Sequence, residues 1–315
     1  MYDTIIIGSG PAGYTAGIYA ARREMKTLII GKEPGGQLIW ASEIENYPGF
    51  KKIENFELIT KMQEQVKSLG VEIISDEVRK IDREEDGTFT LNTSNKTYQA
   101  KTVIIAMGLS PRRLEIPGEK EFNARGVTYC ANCDGPFYRN KAVVVIGGGN
   151  AALDAAEVLS KIASNVYLVH RSEQFRGFEA LVDEVKRKEN VEIILDSEIK
   201  EISGQEKVNK ITVINNKTKE ERSIDVEGVF IEIGRIASTD LVESFAERDV
   251  KKQILVDEKC RTKTEGFFAC GDVTQVPFKQ ITIACGQATI AALAAYEYLQ
   301  LKQGKSVKMI VDRSH

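Results

Sequence analysis

A chain of 315 residues is long enough for roughly two domains, and 42% hydrophobic with 28% charged residues is the balance of a globular protein that can bury a core. A net charge of −3 gives no general pull toward nucleic acid or an anionic membrane, and no apolar run approaches the roughly 18 residues of a spanning helix. Met1-Tyr2-Asp3 leads straight into an apolar strand and leaves no room for a cleavable leader, so the expectation is a cytoplasmic protein without nucleic-acid or membrane partners.

Thr4-Ile5-Ile6-Ile7 has the β-branched character of a buried parallel strand. Gly8-Ser9-Gly10-Pro11-Ala12-Gly13 follows, and then a helical stretch through Arg22. Strand, GxGxxG and helix in that order form a dinucleotide-binding turn: Gly8 permits the tight bend, Gly10 lets a pyrophosphate approach the backbone, and Gly13 lets helix and strand pack closely. Residues 27–30 read as the second strand. The acid expected near its end is not clearly placed, because Gly31-Lys32 stands there with Glu33 one step on. Loop signals follow at Pro34-Gly35-Gly36-Gln37 and Glu45-Asn46-Tyr47-Pro48-Gly49. Phe56, Ile59, Met62, Val66 and Leu69 recur at helical spacing, which predicts a helix over 54–69. Strands are predicted over 71–81, 89–93 and 98–106. Pro111 and Pro117-Gly118 mark a crossing into a second domain.

That domain begins with Tyr129-Cys130-Ala131-Asn132-Cys133-Asp134-Gly135. Two cysteines two residues apart can close a small disulfide ring, and an acid follows at once. The other cysteines, Cys260, Cys270 and Cys285, are isolated, and their expected role is apolar filling. Five cysteines with one close pair do not make a secreted disulfide framework, so the pair is catalytic or metal-binding. A structural zinc site needs four N/S ligands, and with no second CxxC no metal site is expected. A buried strand at 142–146 then leads into Gly147-Gly148-Gly149-Asn150-Ala151-Ala152, the GxGxxA variant of the same turn. After the next strand the chain has His170-Arg171, with Arg176 five residues on, where an NAD site would place an acid. Basic groups there suit a 2′-phosphate and favour NADPH. A helix over 178–188 and strands over 191–234 follow, the last ending like residues 102–108. The two halves therefore share one plan, read as a duplicated nucleotide-binding domain with the second copy inserted into the first. Strands are expected again over 254–271, ending at Gly271-Asp272, and an alanine-rich helix over 284–299.

Together these motifs resemble the low-molecular-weight thioredoxin reductases over essentially the whole chain. The resemblance implies an α/β protein of two Rossmann-like three-layer domains. The first, 1–113 with 245–315, would bind FAD through Gly8, Gly10, Pro11, Ala12, Gly13, Gly36, Gln37, Asn46, Gly271, Asp272, Lys279, Gln280 and Ile281. The inserted one, 114–244, would bind NADPH through Gly147, Gly149, Asn150, Ala151, Ala152, His170, Arg171 and Arg176. Cys130 and Cys133 would be the redox disulfide, with Cys133 facing the flavin and Cys130 exchanging with the partner, and Asp134 would be the acid/base. A homodimer and a thioredoxin or glutaredoxin-like partner are implied, with electrons running from NADPH through FAD to the disulfide. Ser172 departs from the family pattern where a second arginine is usual, and Gln287-Ala288 departs where a glycine and then an alanine are usual. The stretches 133–138 and 272–280 look closer to the reductase component of alkyl hydroperoxide reductase. That relative carries an additional N-terminal thioredoxin-like domain, so here the partner is expected to be a separate protein. Ser172 leaves open a reduced ferredoxin or flavin donor in place of NADPH. A regulatory redox sensor is the reading from another class.

Overall fold

The computed structural model describes residues 1–40 and 43–306, without the side chains of Trp40, Glu43 and Cys133. The chain divides into two compact units, Met1–Ser110 with Ile236–His315, and Pro111–Arg235. The second is thus an insertion within the first. The sequence placed the boundaries after 113 and after 244. The second crossing comes earlier because Ala237, Val242 and Phe245 are buried in the core of the first unit.

In the first unit, β1 (Tyr2–Ile7) leads through the glycine turn into α1 (Pro11–Ala21) and β2 (Thr27–Ile30). Two short strands, β3 (Glu43–Ile44) and β4 (Ile53–Glu54), pair antiparallel ahead of α2 (Asn55–Ser68). The buried face of α2 carries Leu58, Ile59, Met62 and Val66. Phe56 and Leu69, expected on that face, are 65% and 39% exposed. The single strand predicted over 71–81 is broken in two, β5 (Glu72–Ile74) and β6 (Val78–Arg83), which lie at opposite edges of one sheet. With β7 (Phe89–Thr93) and β8 (Thr97–Ile105) the sheet runs β5-β2-β1-β8-β7-β6. The continuous Ile/Val run of β1, β2 and β8 is buried on both faces, as parallel strands between layers require.

Crossing strands β9 (Ser110–Pro111) and β18 (Arg235–Ile236) pair with each other as a two-stranded ribbon. The inserted unit begins with β10 (Val127–Thr128) and the one-turn α3 (Ala131–Asp134). Next, β11 (Ala142–Ile146) leads through the second glycine turn into α4 (Asn150–Ser160) and β12 (Asn165–Val169), and α5 (Glu179–Lys186) leads into β13 (Val191–Ile194). An antiparallel sheet of β14 (Ser197–Gly204), β15 (Val208–Asn215) and β16 (Glu221–Asp225) precedes β17 (Gly228–Ile231), which completes a parallel sheet of order β10-β17-β11-β12-β13.

The chain returns to the first sheet with β19 (Phe267–Ala269), parallel to β8. Of the strands expected over 254–271, β19 is the one that forms beyond isolated bridges. The final helix, α6 (Ile281–Lys302), buries Ala284, Ala288, Ala291, Ala292 and Ala295 in the same core cluster as Ala12, Ala16 and Ala20 of α1. Small residues on both helices allow this close packing. No described helix is long and apolar enough to cross a membrane.

Candidate functional site

Each unit gathers its expected site residues at the carboxyl ends of its parallel strands, where α/β sheets bind ligands. In the first unit Gly8 has φ +121°, and a β-carbon there would come within 2.2 Å of the Ala106 carbonyl oxygen. One on Gly13 would lie 1.8 Å from the Gly8 oxygen. Those two glycines are demanded by the fold itself. Gly10 is not, since the nearest atom to its would-be β-carbon is the Gly35 oxygen at 3.7 Å and its φ of −90° suits any residue. The space above it is what a phosphate approaching the helix N-terminus needs. Pro11 opens α1 and Ala12 is buried behind it.

The remaining residues of this unit frame the same end. Gly36 lies against Gly10, held there by the Gly35 amide, which donates to the Ser9 carbonyl at 2.7 Å. The Gln37 amide donates to the Asp272 carboxylate at 2.9 Å, and the Asn46 amide to the Gln280 side-chain oxygen at 3.1 Å. Lys279 turns inward, donating to the carbonyls of Asp272 at 3.0 Å and Thr274 at 2.7 Å, and burial lowers its pKa. It shapes the loop at Gly271-Asp272 with an ammonium committed to backbone. Ile281 starts α6. Gln287, one departure from the family pattern, has a use: its side-chain oxygen accepts the Gly271 amide at 2.9 Å and the Thr274 hydroxyl at 3.1 Å, tying α6 to that loop.

The inserted unit repeats the arrangement. Gly147 has φ +149°, and a β-carbon there would lie 2.3 Å from the Glu232 carbonyl oxygen and 2.7 Å from the Ala152 methyl. Nothing lies within 4 Å of a β-carbon on Gly149. Asn150 accepts the Phe178 amide on its side-chain oxygen at 2.8 Å, and Arg176 donates its own amide to the Gly148 carbonyl at 2.6 Å, so the loop of residues 170–178 is tied to the turn. Ala151 is exposed and Ala152 buried. His170 is 2% exposed, stacked on Phe175 with ring centroids 5.5 Å apart and bonded through Nε2 to the Gln174 carbonyl at 3.1 Å. Its ring occupies the space where a Gly148 β-carbon would be. Burial, with Arg176 and Arg171 nearby, lowers its pKa. His170 is therefore a buttress beneath the turn, while Arg171 and Arg176 are the exposed cations at the edge.

The cysteine segment sits in this unit between β10 and α3. Cys130 is disulfide-bonded and 6% exposed. The Cys133 side chain lies outside the described residues. Cys260, Cys270 and Cys285 are free. Burial pushes the Cys260 thiol up to about 12 and the Cys270 thiol well above its usual value, so neither supplies a thiolate. Thr128, which the sequence reading passed over, holds the segment, and Glu232, also passed over, is the half-buried acid after β17. Thr128, buried, donates its hydroxyl to the Asp134 carboxylate and accepts the Cys130 amide at 3.2 Å. Glu232, the first residue after β17, is half-buried, and burial raises its pKa to about 7 against the opposing pull of Arg235 and the Ala131 amide. A Thr two residues before a CxxC is a readable signal. The Glu232 signal is only an acid interrupting the apolar run from 228 to 233. Beside them, the Tyr129 hydroxyl donates to the buried Glu119 at 2.7 Å and accepts from Arg113 at 3.2 Å.

Residues 2–288 match the model of the pyridine nucleotide-disulphide oxidoreductase family. The chain belongs to that family. It is 39% identical over 304 residues to the thioredoxin reductase of Treponema pallidum, covering 96% of this chain and 98% of that one. A crystal structure of Lactococcus lactis thioredoxin reductase in its FR conformation is 40% identical, with a TM-score of 0.84 over 95% of this chain and 99% of that one. An alkyl hydroperoxide reductase component of Escherichia coli is 36% identical over 95% of this chain and 58% of its own length. The chain is thus similar to both relatives whose motifs the sequence resembles, and its fold is that of the thioredoxin reductases.

Proposed function

We propose that the protein is an NADPH-dependent, FAD-containing thioredoxin-disulfide reductase, passing electrons through a Cys130–Cys133 disulfide to a thioredoxin or glutaredoxin-like protein. The observation that carries this is the bonded Cys130, held with an acid inside a unit whose Gly149 has open space in place of a packing reason. The similarity to thioredoxin reductases along nearly the whole chain supports the partner class. In this reading the working form is a homodimer.

The first unit would hold FAD, with the pyrophosphate over Gly10 at the N-terminus of α1 and Gly36, Gln37, Asn46, Asp272, Gln280 and Ile281 around the rest. The inserted unit would hold NADPH over Gly149, Asn150, Ala151 and Ala152, with Arg171 and Arg176 on the 2′-phosphate. When bound, these groups supply the two-electron hydride chemistry. The chain's own part is to hold and protonate the cysteine pair. Cys133 would face the flavin and Cys130 would exchange with the partner disulfide, since a thiolate is the attacking species. Asp134, fixed through Thr128, would return a proton to the departing sulfur. In this reading the inserted unit would turn about its two crossings, β9 and β18, between flavin-side reduction and exchange with a protein substrate.

The test is NADPH-driven reduction of a thioredoxin disulfide by the wild type and by Cys130→Ser. The wild type should turn over at typical enzyme rates, ~1–10³ per second, and the variant should lose essentially all of it while keeping its flavin. Undiminished turnover in Cys130→Ser would rule the reading out.

A further inference from the structure

We propose that Lys217, with Asn216 beside it, sets the nucleotide preference of the inserted unit. It pairs with two carboxylates that border the Arg171 loop and so leaves that loop able to take a 2′-phosphate. This rests on the reading of the inserted unit as the NADPH site. It adds a hairpin that lies outside the glycine turn and its arginines.

The hairpin joins β15 to β16, and its turn is closed without the side chains at 216 and 217. The Asn215 side-chain oxygen accepts the amides of Lys217 and Thr218, each at 2.9 Å, and the Asn215 carbonyl accepts the Lys219 amide at 2.9 Å. Lys219 takes the left-handed conformation that the turn needs, φ +64°. The next two side chains instead reach the loop after β12. Asn216 donates its side-chain amide to the Arg171 carbonyl at 3.1 Å and its backbone amide to the Asp196 carbonyl at 2.6 Å. The Lys217 ammonium bonds the Asp196 carboxylate at 2.9 Å and the Glu173 carboxylate at 3.2 Å. Asp196, between β13 and β14, donates its amide to the Ser172 carbonyl at 3.3 Å. Arg171, Ser172 and Glu173 are thus each held by Asp196 or by the hairpin.

The charges decide what this arrangement does. Arg171 and Arg176 supply two positive charges at the exposed edge, and Ser172 supplies none. Glu173 and Asp196 supply two negative ones. Without Lys217 this set is neutral, and a phosphate monoester gains little from it. With Lys217 a net positive charge remains, and both carboxylates are paired. Lys217 and Glu173 are exposed, so their ion pair contributes little to folding stability. Its partners are on the same three-residue stretch as Arg171, and charges closer than about 8 Å escape most screening at physiological salt.

A ribose with a free 2′-hydroxyl brings no charge to this edge, so the same change of field leaves it nearly unaffected. What Lys217 sets is therefore the difference between the two nucleotides, by removing a repulsion that the phosphorylated one alone would meet. It acts through Arg171 and the two carboxylates, as a positioning residue.

The experiment uses the oxidised, flavin-containing full chain and two probes that differ only by the 2′-phosphate, 2′,5′-ADP and 5′-AMP. Their dissociation constants are measured by titration calorimetry at low and high salt, so no turnover is involved. The wild type should bind 2′,5′-ADP about tenfold or more tighter than 5′-AMP. Lys217→Ala should weaken 2′,5′-ADP about three- to fivefold and leave 5′-AMP within about twofold. Lys217→Glu should cost about tenfold or more for 2′,5′-ADP alone, and Lys217→Arg should keep the wild-type ratio. The losses should shrink at high salt. An equal loss for both probes, or no loss for either, would overturn the inference, because a merely structural role does not tell the probes apart. Arg171→Ala separates this failure from a larger one. If it abolishes the preference while Lys217→Ala does not, the NADPH reading stands and the inference falls. If the wild type itself binds both probes equally, the 2′-phosphate reading falls and the inference with it.

Discussion

The two glycine turns are close to a controlled experiment. At Gly8 and Gly147 the backbone bends into φ +121° and +149°, and a neighbouring carbonyl, of Ala106 or Glu232, forbids a side chain. At Gly10 and Gly149 the backbone is extended and no protein atom objects. A glycine with no partner to explain it points to a partner from outside, and both units have one at the same place. The turns differ in what surrounds them. The first is closed by neutral and internally paired groups, Gln37 on Asp272 and Lys279 on backbone carbonyls. The second is bordered by exposed Arg171 and Arg176. One scaffold thus carries two different electrostatic settings.

Replacing the middle glycines should separate the units most sharply. Gly149→Val should fold with its melting temperature within a few degrees of wild type, keep its flavin, and lose at least about a hundredfold in kcat/KM for NADPH, roughly 2.7 kcal/mol of binding. Gly10→Val should lose flavin instead. Loss of both cofactors from either variant would deny the independence of the two turns. A smaller change is expected at the basic edge. Arg171→Ala with Arg176→Ala should raise KM for NADPH by about tenfold or more and leave KM for NADH nearly unchanged, in a steady-state comparison of the two. Thr128→Val should lower kcat by about tenfold through the misplaced Asp134, with Thr128→Ser restoring most of it. The least effect is at His170. Its pKa is lowered in the folded chain, so below the ordinary value near 6.5 the unfolded state binds the proton more readily. Stability is full above that pH and declines as pH falls toward the folded value. His170→Phe should flatten this decline in melting temperature measured between pH 7.5 and 5.

Both glycine turns were legible because their requirements are local: a bend, a close contact and a helix start, all within six residues. The helix at 55–68 was legible from its period to within one residue at each end, but the burial of its end positions was not. Phe56 and Leu69 fit the period yet lie where the helix leaves the core. The break between β5 and β6 falls at Ser75-Asp76-Glu77, a polar interruption that the strand reading ran through; that the two pieces go to opposite edges of one sheet is set by long-range pairing. His170 was read as a phosphate ligand because its neighbours are basic. Its burial depends on Phe175 and on the missing side chain at Gly148, which only the folded loop brings together. Thr128 acts on the cysteine segment from two residues before Cys130, through a hydroxyl that meets the Asp134 carboxylate only once the chain has turned.

The most direct measurement of the central claim is an anaerobic titration of the purified yellow protein with NADPH, following flavin bleaching and counting thiols. Full bleaching by about two equivalents of NADPH, with two new thiols per chain that Cys130→Ser does not produce, is the predicted result. A flavin that NADPH leaves oxidised, with no thiol released, would contradict it.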